Sequence, residues 1–387
     1  MVADIFRPTT MADLGELIRS VASNAQPIEL RGGGSKRDIG TPDRAATIIE
    51  MSGFAGVIDY DPNELVLTVG AGTSLADVEH LVAAQGQMLA FEPFDHGPLF
   101  GRPAGLATIG GVVAAGVSGS RRLSGGAVRD HLLGFEAVSG RGEAFVGGGR
   151  VVKNVTGYDL PKLMAGSWGR LAALTSVTLK VLPRPRMRAT LVVRGLGDEA
   201  AIDTMARAMG SPAEVAAAAH LPAEGMTLLR IEGFEPSVAA RALMLQALLG
   251  EAELWSDGAD DALWTTIVRV APLSGPDPLW RISVAPSRGP AIYRALAPLG
   301  ARCIYDWAGG LVWLTLPAQT EQHAVRRAAA AQGGHAMLVR APVDLRAQIA
   351  ALHPEDAGLA ALSARVRAGF DPAGILSPDR FGGLDAH

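Results

Sequence analysis

The chain has 387 residues, of which 48% are hydrophobic and 19% charged, with a net charge of −4 and one cysteine. These values are typical of a soluble globular protein with two or three domains. They exclude an internal disulfide and a multi-cysteine zinc or iron–sulfur site, and they give no reason to expect a nucleic acid partner. The N-terminus lacks the pattern of a secretory signal and no apolar run reaches the ~18 residues of a membrane span. We therefore expect a cytoplasmic protein.

The first half of the chain predicts alternating helices and strands joined by glycine-rich loops. In chain order, the predictions are a helix over 10–24, strands over 27–30 and 64–70, a helix over 74–85 capped by Ser74, a helix over 109–115, strands over 134–139 and 144–146, and a strand over 171–182. A Pro-Arg-Pro-Arg run at 183–186 then marks a domain boundary.

The second half predicts helices on one face of an antiparallel sheet. The predicted strands cover 190–194, 226–232, 279–284 and 310–316, and the predicted helices cover 198–209, 236–249, 290–299 and 359–367. We expect domains at 1–184 and 185–350, followed by a C-terminal helical segment, 351–387, that returns to the first domain.

A triple glycine, Gly32 to Gly34, follows the predicted strand at 27–30. Successive backbone N–H groups in such a loop can form a nest that binds a pyrophosphate. Strand–glycine loops are common, so this motif alone leaves an ordinary turn open.

Gly70-Ala71-Gly72 lies between a predicted strand and a predicted helix, as in a Rossmann dinucleotide site. The third glycine of that motif is replaced by Leu75, and Glu92 is the nearest candidate for a ribose-binding acid. A tight structural turn is the better interpretation, and an NAD-binding Rossmann enzyme is the least favoured alternative.

The segment 105–116 has small residues at nearly every position and one hydroxyl, Thr108. Small residues allow a flat ring or another backbone to approach closely, so a ligand site and close helix packing are both open. Arg121, Arg122, Arg129 and Asp130 follow, either as phosphate contacts or as surface pairs.

Other chemistries have little support in the sequence. The eight histidines lack metal-ligand spacing, so we expect no metal site. There is no G-x-S-x-G motif, and the catalytic residues are unknown. We interpret Cys303 as a buried structural thiol.

Taken together, residues 1–184 resemble the FAD-binding domain of the vanillyl-alcohol oxidase (PCMH-type) flavoprotein family. The matching elements are Arg31–Ser35, Val69–Thr73, Ala104–Gly116, Arg129–Gly134 and Gly166–Thr175, with Arg367–Pro378 resembling the family's C-terminal signature. The resemblance implies an α+β fold, in which a two-part FAD-binding domain of two α/β subdomains precedes an α+β cap domain with an antiparallel sheet.

Within that family, Val151–Leu160 and Trp307–Leu314 are similar to the FAD-binding subunit of glycolate oxidase. This implies a larger FAD-containing subunit and an iron–sulfur subunit as partners, with peripheral membrane association at the inner face left open. It also implies that the cofactor is FAD, bound by Gly32, Gly33, Gly34, Ser35, Thr108, Ile109, Gly110, Gly111, Ala115, Gly116 and Leu174.

Two departures from the family qualify this expectation. Ser35 stands where many members carry the histidine that binds FAD covalently, and Cys303 is the only cysteine, so FAD is expected to be non-covalent. The histidine-rich metal motif of the family's 2-hydroxy-acid dehydrogenases is absent as well. Our hypothesis is that the larger subunit oxidises glycolate, while this chain holds FAD for electron transfer or assembly.

Two alternatives stay open from the sequence. The chain could be a stand-alone FAD-dependent 2-hydroxy-acid oxidoreductase in which Arg230, Arg281 and Arg340 bind a carboxylate. It could instead be a non-catalytic assembly subunit that has lost the cofactor, although the glycine-rich loops and Thr108 argue against this.

Overall fold

The computed structural model describes residues 4–42, 47–149, 158–256, 258–378 and 380–381. The chain divides into two compact units. The first comprises Met1–Ser118, Gly126–Arg184 and Pro354–His387, and the second comprises Gly119–Gly125 and Pro185–His353. The predicted limits at 184 and 350 lie close to these boundaries. Residues 119–125, which we expected in the first domain, lie in the second unit instead.

The described residues form strands in both units. In chain order they are β1 (Asp4–Phe6), β2 (Ile28–Arg31), β3 (Thr47–Glu50), β4 (Val57–Asp61), β5 (Val66–Gly70), β6 (Gln87–Met88), β7 (Leu132–Ser139), β8 (Ala144–Gly148), β9 (Ala172–Lys180), β10 (Leu182–Pro183), β11 (Met187–Arg194), β12 (Ala217–Leu221), β13 (Met226–Gly233), β14 (Glu253–Trp255), β15 (Leu279–Ser283), β16 (Arg302–Asp306), β17 (Leu311–Thr315) and β18 (His335–Arg340).

Helices connect many of these strands. They are α1 (Met11–Ser23), α2 (Leu75–Ala83), α3 (Ile109–Ala115), α4 (Arg122–Gly125), α5 (Val128–His131), α6 (Leu160–Met164), α7 (Asp198–Met209), α8 (Glu235–Leu249), α9 (Ala259–Val268), α10 (Gly289–Leu296), α11 (His323–Ala331), α12 (Val343–Gln348) and α13 (Ala357–Phe370).

The first unit contains a parallel three-stranded sheet, β1-β3-β2, and an antiparallel five-stranded sheet, β4-β5-β9-β7-β8. Strand β9 is buried along nearly its whole length because it lies between β5 and β7. Helix α1 contributes Leu14, Ile18 and Val21 to the core, since these residues recur on one helical face. The hydroxyl of Thr10 accepts a hydrogen bond from the backbone N–H of Asp13 and caps the helix.

The C-terminal segment returns to β2, the strand that leads into the glycine loop. The N–H of Ile28 donates to the carbonyl of Ile375 over 2.7 Å, and the N–H of Ser377 donates to the carbonyl of Ile28 over 2.9 Å. Both Ile375 and Leu376 are buried in the core that contains α1. The C-terminal signature therefore forms part of the first unit.

The second unit is built on an antiparallel eight-stranded sheet, β14-β11-β13-β12-β16-β17-β15-β18. Helices α7, α8, α10 and α11 share one hydrophobic core with alternate strand residues such as Trp280 and Ile282. The intervening Arg281 therefore points to the opposite face, because successive strand side chains alternate.

The predicted α+β class with an antiparallel sheet is confirmed. The expectation of helices on one face only is wrong, because Trp264 and Asp260 of α9 form hydrogen bonds with Thr190. The side chain of Thr190 points to the face opposite the core residues Ala189 and Leu191.

Candidate functional site

The glycine loop is held tightly against the segment that precedes α3. A Cβ atom added to Gly32 would collide with the Thr108 hydroxyl, and one added to Gly33 would collide with the carbonyl of Leu106. Gly34 has a φ of +81°, a conformation that favours glycine. The triple glycine is therefore required by packing at two positions and by backbone geometry at the third.

Helix α3 begins at the same place. The Thr108 hydroxyl accepts a 3.3 Å hydrogen bond from the N–H of Gly111 and caps the helix. A Cβ added to Gly110 would come within 2.6 Å of the Ala71 side chain. The Gly70-Ala71-Gly72 turn thus packs directly on α3, as a tight structural turn would, and Ala71 also lines the cleft described next.

The glycine loop, α3 and β9 enclose a cleft of about 760 Å³, its open mouth included. Nine of the residues that the resemblance assigns to FAD line it: Gly32, Gly33, Gly34, Ser35, Thr108, Gly110, Gly111, Ala115 and Leu174.

The other two predicted residues do not line the cleft. Ile109 has no exposed surface and belongs to the protein core. Gly116 ends α3 in a left-handed conformation with a φ of +67°. A Cβ added to Gly116 would lie 3.3 Å from Gly166. The structure therefore gives these two residues positions in packing and helix termination.

The cleft also contains residues that we did not predict. Lys36 and Arg37 follow the glycine loop, and Arg380 comes from the far end of the chain. Trp168 adds an aromatic side chain and has a left-handed backbone with a φ of +59°. Its ring centroid lies 4.9 Å from that of Phe381. The sequence contained a signal for Lys36, because it is a charged residue that follows the triple glycine after Ser35. No sequence signal marked Arg380.

One end of the cleft carries an excess of positive charge. The guanidinium of Arg31 donates two hydrogen bonds, of 3.0 and 2.6 Å, to the Glu29 carboxylate. Lys36 is buried, and burial lowers the pKa of its ammonium group to about 8, an effect to which the positive charge of Arg380 adds and which Asp95 opposes. Buried cations need a counter-ion, so this end of the cleft suits an anion.

The predicted basic segment after α3 serves a different part of the molecule. In the second unit, Arg121 lies 2.8 Å from the carboxylate of Glu232, and the guanidinium carbon of Arg122 lies 4.3 Å from the ring centre of Trp307. The sequence left open whether these arginines contact phosphates or pair with other side chains. The structure shows both of them in contact with protein side chains.

The three arginines proposed to bind a carboxylate also lie in the second unit, in different surroundings. Arg230 lies 3.1 Å from Glu232, and Arg340 donates to the carbonyls of Leu273 and Asp277. The guanidinium of Arg281 lies 5.0 Å from the centre of the Trp307 ring, and this side chain makes no hydrogen bond to another described residue. Burial lowers the pKa of Arg281 to about 10, and the positive charge of Arg122 contributes.

Several sequence expectations concern other side chains. Cys303 is buried, as expected, and burial raises the pKa of its thiol. Among the described residues, no group of three or more metal-ligating side chains occurs. The motif Val151–Leu160 falls mainly on residues 151–157, which lie outside the described part of the chain.

Comparison with known proteins gives the family. A model described as "FAD binding domain" matches residues 2–148. Glycolate oxidase subunit GlcE of Escherichia coli (strain K12) is 33% identical over 372 residues, covering 94% of this chain and 95% of that protein. The chain belongs to the family of glycolate oxidase FAD-binding subunits. Its cofactor is FAD, and its class is that of the FAD-dependent oxidoreductases.

More distant relatives match part of the chain. Glycolate oxidase subunit GlcD of Bacillus subtilis (strain 168) is 27% identical over 62% of this chain. D-lactate dehydrogenase of Archaeoglobus fulgidus is 28% identical over 55% of this chain. The matched region spans 50% and 44% of those two proteins, respectively.

A solved structure of alkyldihydroxyacetonephosphate synthase has the same fold. Its TM-score is 0.68 at 13% identity, and the match covers 97% of this chain and 76% of that one.

No described helix combines the length and apolar character needed to cross a membrane.

Proposed function

We propose that this chain is the FAD-binding subunit of a glycolate oxidase complex that converts glycolate to glyoxylate. In this proposal, the chain holds a non-covalent FAD in the cleft of the first unit, for electron transfer or assembly. The names of the GlcE and GlcD relatives support a complex with a larger flavoprotein subunit. An iron–sulfur subunit, a cytoplasmic location and attachment to the inner membrane face through partners belong to the same proposal.

The small side chains and the positive charge of the cleft suit FAD. The glycine loop offers backbone N–H groups without side chains, and Lys36 and Arg380 offer positive charge, which suits the diphosphate. Gly110, Gly111 and Ala115 leave room for a flat ring system. Bound FAD would supply the capacity to accept and release electrons.

The side chains that line the cleft support non-covalent binding. Ser35, which is buried, stands at the position where many family members carry the histidine that binds FAD covalently. The described lining contains neither histidine nor cysteine, and Cys303 lies in the second unit. Denaturation of the purified protein should therefore release FAD into the supernatant, and flavin retained on the denatured chain would contradict this part of the proposal.

In this proposal, glycolate is oxidised in the larger subunit and not in this chain. The observation that supports this assignment is that few side chains in the cleft can accept a proton. Oxidation of a 2-hydroxy acid removes two electrons and two protons, and it needs a group that accepts the hydroxyl proton. In the described lining, the carboxylate is Glu29, which accepts both hydrogen bonds of the Arg31 guanidinium. The other group of this lining that can exchange a proton near neutral pH is Lys36, with a pKa lowered to about 8, but it lies beside the glycine loop, where the diphosphate is expected. This favours a cofactor that glycolate does not reduce directly.

The test is an anaerobic visible spectrum of the purified chain before and after addition of glycolate. A flavin band that persists with glycolate, but bleaches with a chemical reductant, is the expected result. Bleaching by glycolate alone would show that this chain oxidises the substrate itself. A preparation without flavin that also fails to bind added FAD would instead support the cofactor-free assembly subunit.

Arg281 favours a second candidate, the stand-alone 2-hydroxy-acid oxidoreductase. Its guanidinium, 5.0 Å from the centre of the Trp307 ring and without a hydrogen-bonded partner among the described residues, is suited to a carboxylate. The same spectrum decides between the candidates. If glycolate bleaches the flavin in the wild type but not in Arg281→Met, the second candidate is correct.

A further inference from the structure

Lys36 is a buried cation in the cleft that no acidic group neutralises by direct contact. The residue is 8% exposed, and its Nζ lies 4.0 Å from the position that a Cβ would take on Gly111. Its hydrogen bond within the described part of the chain is a long one, 3.4 Å, to the Ser35 hydroxyl. The ammonium group is therefore directed at the segment where the glycine loop meets α3.

The carboxylates near Lys36 are already occupied. Asp95 accepts hydrogen bonds from the backbone N–H groups of Gly97, Gly105 and Leu106, at 2.9, 2.7 and 3.0 Å. Glu29 is held by Arg31. Neither carboxylate forms a hydrogen bond or an ion pair with Lys36 in the described structure.

The other charged groups around Lys36 are positive. Arg37 follows it in the loop, and Arg380 donates one hydrogen bond to the carbonyl of Lys36 and another, of 2.9 Å, to that of Ile39. The positive charge of Arg380 disfavours the protonated state of Lys36. In the described structure, the ammonium group thus has no acidic partner in direct contact.

We propose that Lys36 binds the diphosphate of FAD and takes up a proton when the cofactor binds under alkaline conditions. This inference rests on the proposed function, because it assumes that the cleft holds FAD. The diphosphate is the part of oxidised FAD that is ionised at neutral pH. An anion placed against Lys36 supplies the counter-ion that the protein does not.

The sign of the pH effect follows from linkage between proton and cofactor. In the free protein the pKa of Lys36 is lowered to about 8. A bound diphosphate favours the charged amine and raises that pKa in the complex. Below about pH 8 both states are protonated and the affinity for FAD is constant. Above it, binding requires proton uptake, so the affinity falls by up to about tenfold per pH unit until the pKa of the complex is reached.

The experiment compares FAD affinity in the full-length wild type and three variants, from about pH 6 to about pH 10. Flavin fluorescence on titration of the FAD-free protein gives Kd without any measurement of activity. Lys36→Met should weaken binding at least about tenfold at neutral pH and should remove the alkaline decline. Lys36→Arg should keep most of the affinity and also lose the decline, because arginine stays protonated.

Lys162→Met is the matched control, since its side chain is 48% exposed on the same unit and pairs with Asp159. It should keep both the affinity and the alkaline decline. Thermal unfolding of the FAD-free proteins separates binding from folding. Because Lys36 is buried without a counter-ion, FAD-free Lys36→Met should unfold at the wild-type temperature or above.

The possible results separate this inference from the proposed function. If Lys36→Met binds FAD with the wild-type affinity, or keeps the alkaline decline, Lys36 is not the diphosphate ligand. If the wild type itself does not bind FAD at any pH, the proposed function is wrong instead.

Discussion

At the scale of single residues, the cleft depends on positions where no side chain can be accommodated. Gly32 faces the Thr108 side chain and Gly33 faces the carbonyl of Leu106. A side chain such as Thr108 can rotate, whereas a backbone carbonyl can move only with its segment. Gly33 is therefore the stricter of the two positions, and its substitution has to displace either the glycine loop or the segment before α3.

Replacement of Gly33 by alanine should impair both cofactor binding and folding. We expect FAD to bind about tenfold more weakly or worse, and a loss of about 1–3 kcal/mol in the free energy of unfolding, as for other overpacked sites. Flavin titration and denaturant unfolding measure the two effects. Gly369→Ala is the control, because its Cβ would meet nothing within 4 Å in the exposed part of α13. It should stabilise by about 0.5–1 kcal/mol. Wild-type FAD affinity in Gly33→Ala would show that the loop tolerates displacement without loss of the site.

At the scale of elements, the cleft is assembled from distant parts of the chain. Strand β2 delivers the glycine loop, and the C-terminal segment runs beside it through the hydrogen bonds of Ile28 with Ile375 and Ser377. Arg380 then reaches the carbonyls of Lys36 and Ile39. The end of the chain thus fixes the conformation of the loop that follows the triple glycine.

Replacement of Arg380 by methionine should loosen that loop. The carbonyl of Ile39 loses its side-chain donor, at a cost of about 1–3 kcal/mol, and a positive charge leaves the cleft. The carbonyl of Lys36 keeps the hydrogen bond from the N–H of Ile39. We expect FAD affinity to fall by about tenfold. Hydrogen exchange of the backbone around Lys36 and Ile39 should become faster in the FAD-free protein. Arg365→Met, exposed on α13, is the control, and equal exchange rates in both variants would contradict a role for Arg380 in holding the loop.

The sequence predicted elements well where local signals agreed with tertiary packing. The helix bounds of α3 and α7 agree with the predicted ones, and Ser74 caps α2 as expected. Strand β12, Ala217–Leu221, escaped prediction because alanine has low strand propensity, and pairing with β13 and β16 overrides that preference. Arg380 could not be predicted as a cleft residue, since it contacts Lys36 across 344 positions of sequence.

At the scale of the molecule, the two units carry different chemical groups. The first contains the cleft with its glycine loop and positive charge, and the second contains Arg281 and Trp307 with their cation–π contact. The family relation shows an FAD-binding subunit. Whether this FAD carries electrons or only supports assembly can be tested in the proposed complex. The test requires a change in the cofactor that leaves the protein intact.

Replacement of FAD by 5-deaza-FAD in this chain alone makes that distinction. The analogue keeps the diphosphate and ring shape that the cleft binds, but it performs one-electron transfer poorly. If this chain's flavin relays electrons, a complex rebuilt with the analogue should still show glycolate-dependent bleaching of the larger subunit's flavin, while reduction of the external acceptor slows strongly. Reconstitution of the same chain with natural FAD is the control for handling losses. Undiminished acceptor reduction with the analogue would assign this chain's cofactor to assembly, because the electrons would then reach the acceptor without passing through it.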